Sequence, residues 1–237
     1  MPTAYGRHGN TERDETLTAL KNTLRYMAQS GISGFDCRPE SLEALQRWGN
    51  AAPPPDTLDG IRRALGDCRR CGLSQHRRKI VFGEGDSRAR LVFVGEGPGS
   101  DEDREGRPFV GAAGRLLTNI ITAMNLKRED VYICNVVKCH PPGNRNPNPD
   151  EIRCCLPFLE QQLALIQPDY ICTLGTIATQ TLLKTGRPIS KLRGRFHPYG
   201  RWRLMPTFHP AYLLRNPARK REVWDDIQQL MQAMGLS

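Results

Sequence analysis

Residues 89–99 read ARLVFVGEGPG, an apolar run of strand length that ends in a glycine-rich turn. After an acidic stretch comes AAGRLLTNIITAMNL (112–126), whose apolar residues recur at helical spacing. The alternation then repeats toward the C-terminus. VYICNVVK (131–138) precedes PDEIRCCLPFLEQQLALI (149–166), where a proline and two acids mark a helix start. DYICTLG (169–175) precedes ATQTLLKT (178–185), and WRLMPTFHP (202–210) precedes EVWDDIQQLMQAM (222–234). Strands alternating with helices predict an α/β fold whose open, mostly parallel sheet is covered on both faces. Such sheets bind ligands beyond their C-terminal strand ends, which here are GEGPG, NVVKC, LG and FHP.

The first 50 residues read as a helical N-terminal extension. Leu17, Leu20, Leu24 and Met27 have helical spacing, and Ser41 opens a second short periodic segment, SLEALQRW. AAPPPD (51–56) is a stiff, proline-rich linker, because consecutive prolines cannot continue a helix. The main domain is therefore expected over residues 57–237. The chain has no signal-peptide core and no run near the ~18 apolar residues of a membrane helix, so a cytoplasmic protein without a membrane partner is expected.

In that compartment thiols stay reduced, and the eight cysteines are not expected to form a disulfide framework. Cys68 and Cys71 form a C-x2-C just after the linker, and Cys139 and Cys155 flank the loop HPPGNRNPNPDEIRC. A close pair with two distant singles can enclose a tetrahedral metal or an iron–sulfur cluster, and spacing alone does not choose between zinc and iron. A redox dithiol is less well supported, since the C-x2-C does not open a helix after a first strand. Cys37, Cys134 and Cys172 read as buried thiols, and either Cys154 or Cys155 could reach a metal.

The net charge of +9, from 34 Lys+Arg against 25 Asp+Glu, suits a polyanion such as nucleic acid but does not by itself require one. GEGPG is a turn poor in side chains, which lets backbone N–H groups approach a ligand. It is neither a P-loop nor a G-x-G-x-x-G fingerprint. Its company is what matters. Glu96 lies inside the turn, Phe109 offers a face for a planar base at a strand-end crevice, and Asn135 interrupts an apolar strand with one acceptor and two donors. His209 precedes a proline at another strand end. Each residue alone could be ordinary core or a cap; together they outline a base pocket.

GEGPG, EDREGRPFVGAAGRLL, NVVKCHPPGNRNP and FHPAYLLRNP resemble, in order, the motifs of the iron–sulfur, family 4 uracil-DNA glycosylases. The resemblance runs from about Leu65 to the C-terminus, roughly three quarters of the chain. It implies a three-layer fold with a central four-stranded parallel sheet, and a 4Fe–4S cluster on Cys68, Cys71, Cys139 and Cys155. It further implies that Phe109 stacks on a flipped uracil, Asn135 bonds its edge and His209 donates toward O2. The backbone of Gly95 and Gly97 would close round the base, and Glu102 would block a thymine methyl. Leu213, Leu214, Arg215 and Asn216 would press on the minor groove.

Glu96 is the candidate to activate water, the alternative being a structural carboxylate with Asn135 and the backbone placing the water. The expected activity is monofunctional release of uracil from DNA by a monomer, nucleoid-associated in a prokaryote. The alternative is a DNA-binding or covalently trapping relative with little turnover. That related branch has a longer Arg/His-rich insertion near His140, which PPGNRNPNPD does not resemble, so turnover is expected.

Overall fold

The computed structural model describes residues 55–236 and the isolated positions Asn22, Tyr26 and Gln29. The helical extension expected over residues 1–50, with Cys37, otherwise lies outside the described residues. The chain divides between Pro54 and Pro55, and the unit from Pro55 onward carries everything below.

Helix α1 (Leu58–Leu65) opens this unit, with the Thr57 side chain accepting from the Gly60 N–H. Strands β1 (Glu84–Gly85) and β2 (Leu91–Gly95) follow, then α2 (Ser100–Glu105), α3 (Ala112–Ala123) and β3 (Tyr132–Asn135). Next come α4 (Pro149–Ile166), β4 (Tyr170–Leu174), α5 (Thr176–Leu183), α6 (Ile189–Leu192), β5 (His197–Tyr199) and β6 (Trp202–Thr207). Helices α7 (Pro210–Arg215) and α8 (Lys220–Met234) complete the fold. No helix among the described residues is long and apolar enough to cross a membrane.

The sheet order is β1-β3-β2-β4-β6-β5. The central pairs are parallel, with Phe93 opposite Ile133 on one side and Cys172 on the other. This corrects the four-stranded parallel sheet to a six-stranded mixed one. β1 and β5 pair antiparallel on the outer edges, through Glu84↔Ile133 and His197↔Leu204. They satisfy backbone groups that β3 and β6 would otherwise leave open. At two and three residues, with glycine or proline inside, they carry no hydrophobic pattern.

The central strands β2, β3 and β4 are buried along their whole length because both faces are covered. Alternate side chains go to opposite layers. Val92, Val94 and Ile171 pack with Leu159 and Leu163 of α4, while Leu91, Phe93 and Cys172 pack with Leu117 and Ile121 of α3 and Ile227 and Leu230 of α8. Truncating one such side chain costs about 2–5 kcal/mol. An exposed ion pair such as Arg90–Asp169 contributes at most about 1 kcal/mol, so the layers and not the surface charges hold the strand ends in place.

Candidate active site at the strand ends

The C-terminal ends of β2 and β3 are locked together past the strands, with Val136 N–H donating to Gly95 O (2.9 Å) and Val137 N–H to Glu96 O (3.1 Å). Beyond them opens a cavity of about 420 Å³, inside the ~300–1,000 Å³ of ordinary small-molecule sites. Glu96, Gly97, Glu102, Phe109, Asn135, His209 and Arg215 line it, so most of the predicted site residues meet there. Gly95 lies buried beneath. A Cβ at Gly95 would stand 2.3 Å from Asn135 Oδ1 and 2.6 Å from the Phe109 ring, so glycine is what lets these two groups meet.

Asn135 is 1% exposed, and its Oδ1 is buried without a hydrogen-bond partner. Leaving such an acceptor unmet costs about 1–3 kcal/mol, so the position calls for a partner from outside the protein. Its backbone is fixed from behind. The fully buried Lys138 ammonium donates to Asn135 O (2.8 Å) and Gln162 Oε1 (2.6 Å), and Gln162 Nε2 donates to Phe82 O and the Tyr132 hydroxyl. Burial pushes the Lys138 pKa down.

His209 caps α7: the Ala211 N–H donates to its Nδ1 at 3.1 Å. Burial lowers its pKa from 6.5 to about 4, aided by Arg215 and opposed by Glu102. The imidazole is therefore neutral near pH 7, with Nδ1 an acceptor and the single proton on Nε2, which is free to donate. Its ring stacks against Phe109, centroids 5.6 Å apart and planes at 30°.

Phe109 has φ +52°, in the left-handed region that a bulky side chain disfavours by about 1–3 kcal/mol. Its surroundings hold it there. Glu102 Oε1 accepts from Val110 N–H (2.9 Å) and Gly111 N–H (3.0 Å), while Oε2 accepts from Gly99 N–H (3.1 Å). The Glu102 carboxylate thus ties the GEGPG turn to the Phe109 loop. A Cβ at Gly114 would stand 1.9 Å from Phe109 O, so glycine is needed for α3 to lie under that loop.

Burial raises the Glu96 pKa above 4.5, and its carboxylate makes no hydrogen bond or ion pair among the described residues. Leu213 corrects the expected minor-groove contact: it is 1% exposed and belongs to the α3–α8 core. Leu214, one position on, is 46% exposed. A short helix turns adjacent residues to different faces, and sequence alone did not show which faced out. Asn216 donates from Nδ2 to Tyr212 O.

Asn144, Arg145, Asn146 and Tyr212 also line the cavity, although sequence reasoning did not single them out. The signal was present in the run NRN after two prolines. Arg145 makes a bidentate pair with Glu151 (2.8 and 2.7 Å), whose carboxylate also accepts from the Asn148 N–H at the start of α4. His140 Nδ1 donates to Pro98 O at 2.8 Å, joining this loop to the GEGPG turn.

The cysteines lie behind that loop. Cys139 and Cys155 are buried, while Cys68, Cys71 and Cys154 are half-buried. All are free thiols. Electrostatic influence runs from Cys155 and Cys71 to Cys139, from Cys71 and Cys68 to Cys155, and from Cys154 and Cys68 to Cys71. Burial pushes Cys139 up to about 11 against the pull of Arg77. N–H groups point at three sulfurs: Arg70 at Cys68 (3.2 Å), Arg77 at Cys139 (3.5 Å) and the Lys138 backbone at Cys155 (3.3 Å). Among the described residues no three His, Cys, Asp or Glu close into a cage for a single metal ion.

The strand ends of this α/β sheet thus present an unpaired amide oxygen, a neutral imidazole donor and an aromatic face to one cavity. The chain belongs to the uracil DNA glycosylase superfamily, whose sequence model matches residues 82–228. It is 47% identical over 179 residues to a type-4 uracil-DNA glycosylase of Thermotoga maritima, covering 73% of this chain and 93% of that one. Type-4 enzymes of Saccharolobus solfataricus (42%, covering 76% and 87%) and Archaeoglobus fulgidus (40%, covering 76% and 94%) are similar.

Proposed function

We propose that this chain excises uracil from DNA by hydrolysing the N-glycosidic bond, releasing free uracil and leaving an abasic site. The observation that carries the reading is the orphaned Asn135 Oδ1, facing a cavity it shares with the Phe109 ring and the His209 imidazole. Asn135 accepts from uracil N3–H and donates to O4; cytosine reverses both groups, so one oriented amide separates the two bases. The flipped base stacks on Phe109, and extruding it costs a few kcal/mol, less from a mismatch. As the C1′–N1 bond breaks, its electron pair passes to the uracil ring and charge gathers at O2. His209 Nε2–H stabilises that charge as an oxyanion-hole donor would. In its ionised form Glu96, which has no partner among the described residues, takes the proton of the water that attacks C1′. Arg215, which lines the cavity, and its exposed chain neighbour Leu214 would meet the DNA backbone and the opened stack.

Cys68, Cys71, Cys139 and Cys155 fit a 4Fe–4S cluster. They supply four free thiols from three chain segments, and N–H donors at three of the sulfurs suit thiolates. Cys155 is preferred to Cys154 because it is buried and accepts the Lys138 N–H. Bound there, the cluster would act as a cross-link behind the DNA-facing loop and take no part in bond cleavage.

The test is multiple-turnover excision with uracil-containing single-stranded and U·G duplex oligonucleotides and enzyme limiting. Free uracil in molar excess over enzyme is expected. A stable protein–DNA adduct without turnover, or no uracil at all, would overturn the reading.

A further inference from the structure

Arg128 lies outside every motif of the site, on the short turn Arg128–Asp130 that leads into β3. Its guanidinium nevertheless ends at the strained loop. Nη1 donates to Phe109 O (3.2 Å) and Thr118 Oγ1 (3.1 Å), and Nη2 donates to Pro108 O (2.9 Å) and Glu84 Oε1 (2.5 Å). Its side chain is 22% exposed, and Glu84, on edge strand β1, is anchored from its other side by Arg107. The loop is therefore gripped at both faces. Carbonyls 108 and 109 turn to Arg128, and N–H groups 110 and 111 turn to Glu102. A φ of +52° at a phenylalanine persists only where its surroundings over-determine it, and these two grips are what the structure supplies.

We propose that Arg128, held by Glu84, is a positioning residue for uracil excision: it fixes the backbone that presents the Phe109 ring to the flipped base. It touches neither base nor reacting atoms and acts through Phe109. A planar fork that bonds two successive carbonyls, a hydroxyl and a carboxylate is specific to arginine; a lysine ammonium cannot span the same set. The proposal rests on the reading that the base stacks on Phe109.

The test is a double-mutant cycle with Arg128→Gln and Phe109→Ala in the full chain, scored by single-turnover excision from a uracil-containing single strand. Iron content and Tm are measured alongside. Arg128→Gln alone is expected to lose on the order of a hundredfold in excision. In the Phe109→Ala background it is expected to add almost nothing, because both changes remove the same platform. Affinity for a uracil-free duplex should stay unchanged. If Arg128→Gln does not fold, Arg128→Lys takes its place, with the same non-additivity expected. Fully additive losses, or a folded Arg128 variant with wild-type excision, would overturn the proposal. Wild-type excision by Phe109→Ala would instead overturn the stacking reading itself, which keeps the two failures apart.

Discussion

The two walls of the cavity are held by different means. On the Phe109 side, protein groups answer each other: Glu102 takes three backbone N–H groups and Arg128 takes two carbonyls. The strain at Phe109 is contained within the chain. On the side of residues 139–155, a proline-rich loop is fastened at its mouth by Arg145–Glu151 and His140–Pro98, while its two ends finish in thiols that meet only N–H donors. One wall is complete as a hydrogen-bond network. The other would be drawn together by the proposed cluster, whose four cysteines are free thiols. A rigid wall can thus be made from local polar clamps, while the loop opposite would depend on the proposed cross-link.

Breaking the cysteine wall should have the largest effect. Cys139→Ala is expected to lose its iron and visible absorbance and about 2–5 kcal/mol of stability, as when a native cross-link is removed, which lowers Tm by about 5–15 °C. Limited proteolysis should then cut within residues 140–148 and spare residues 100–111. Equal cutting in both segments would erase the contrast.

Breaking the clamped wall should cost less and leave the iron in place. Glu102→Gln keeps the shape but loses the charge on bonds to Gly99, Val110 and Gly111. A loss of about 1–3 kcal/mol in stability is expected by denaturation, since hydrogen bonds to charged groups are the stronger kind. Iron loss in this variant would show that the two walls are not separate.

The smallest effect is a pH dependence that belongs to neither wall. Burial raises the Glu96 pKa above 4.5, and a general base must be ionised. Excision should therefore fall as pH drops through that raised value, by about tenfold per unit below it, and Glu96→Gln should abolish the slope. No second inflection is expected near 6.5, because His209, at about 4, is already neutral there. An inflection near 6.5 that disappears in His209→Asn would contradict the assigned tautomer.

Much of this was legible in the sequence because it depends on local signals. Helix α4 begins and ends where its proline, acids and apolar spacing place it, at Pro149–Ile166. Glu96, Asn135 and His209 are expected to share one cavity because parallel strands deliver their C-terminal ends to one edge, and they line one together with Phe109. Arg128 was not legible: its partners lie 10, 19, 20 and 44 residues away, and three are carbonyl or hydroxyl groups without a sequence signature. Leu213 was misplaced because LL in a six-residue helix gives no period to fix its face. The edge strands were missed because pairing to a neighbour, not their own composition, makes them strands.

The central claim is that the cavity takes uracil by its edge through Asn135. Competition by free bases during single-turnover excision tests it most directly. Uracil should inhibit the wild-type enzyme and cytosine should not, while Asn135→Ala, with its iron retained, should lose excision by on the order of a hundredfold or more. Equal inhibition by cytosine, or an Asn135→Ala variant that excises like wild type, would contradict the account.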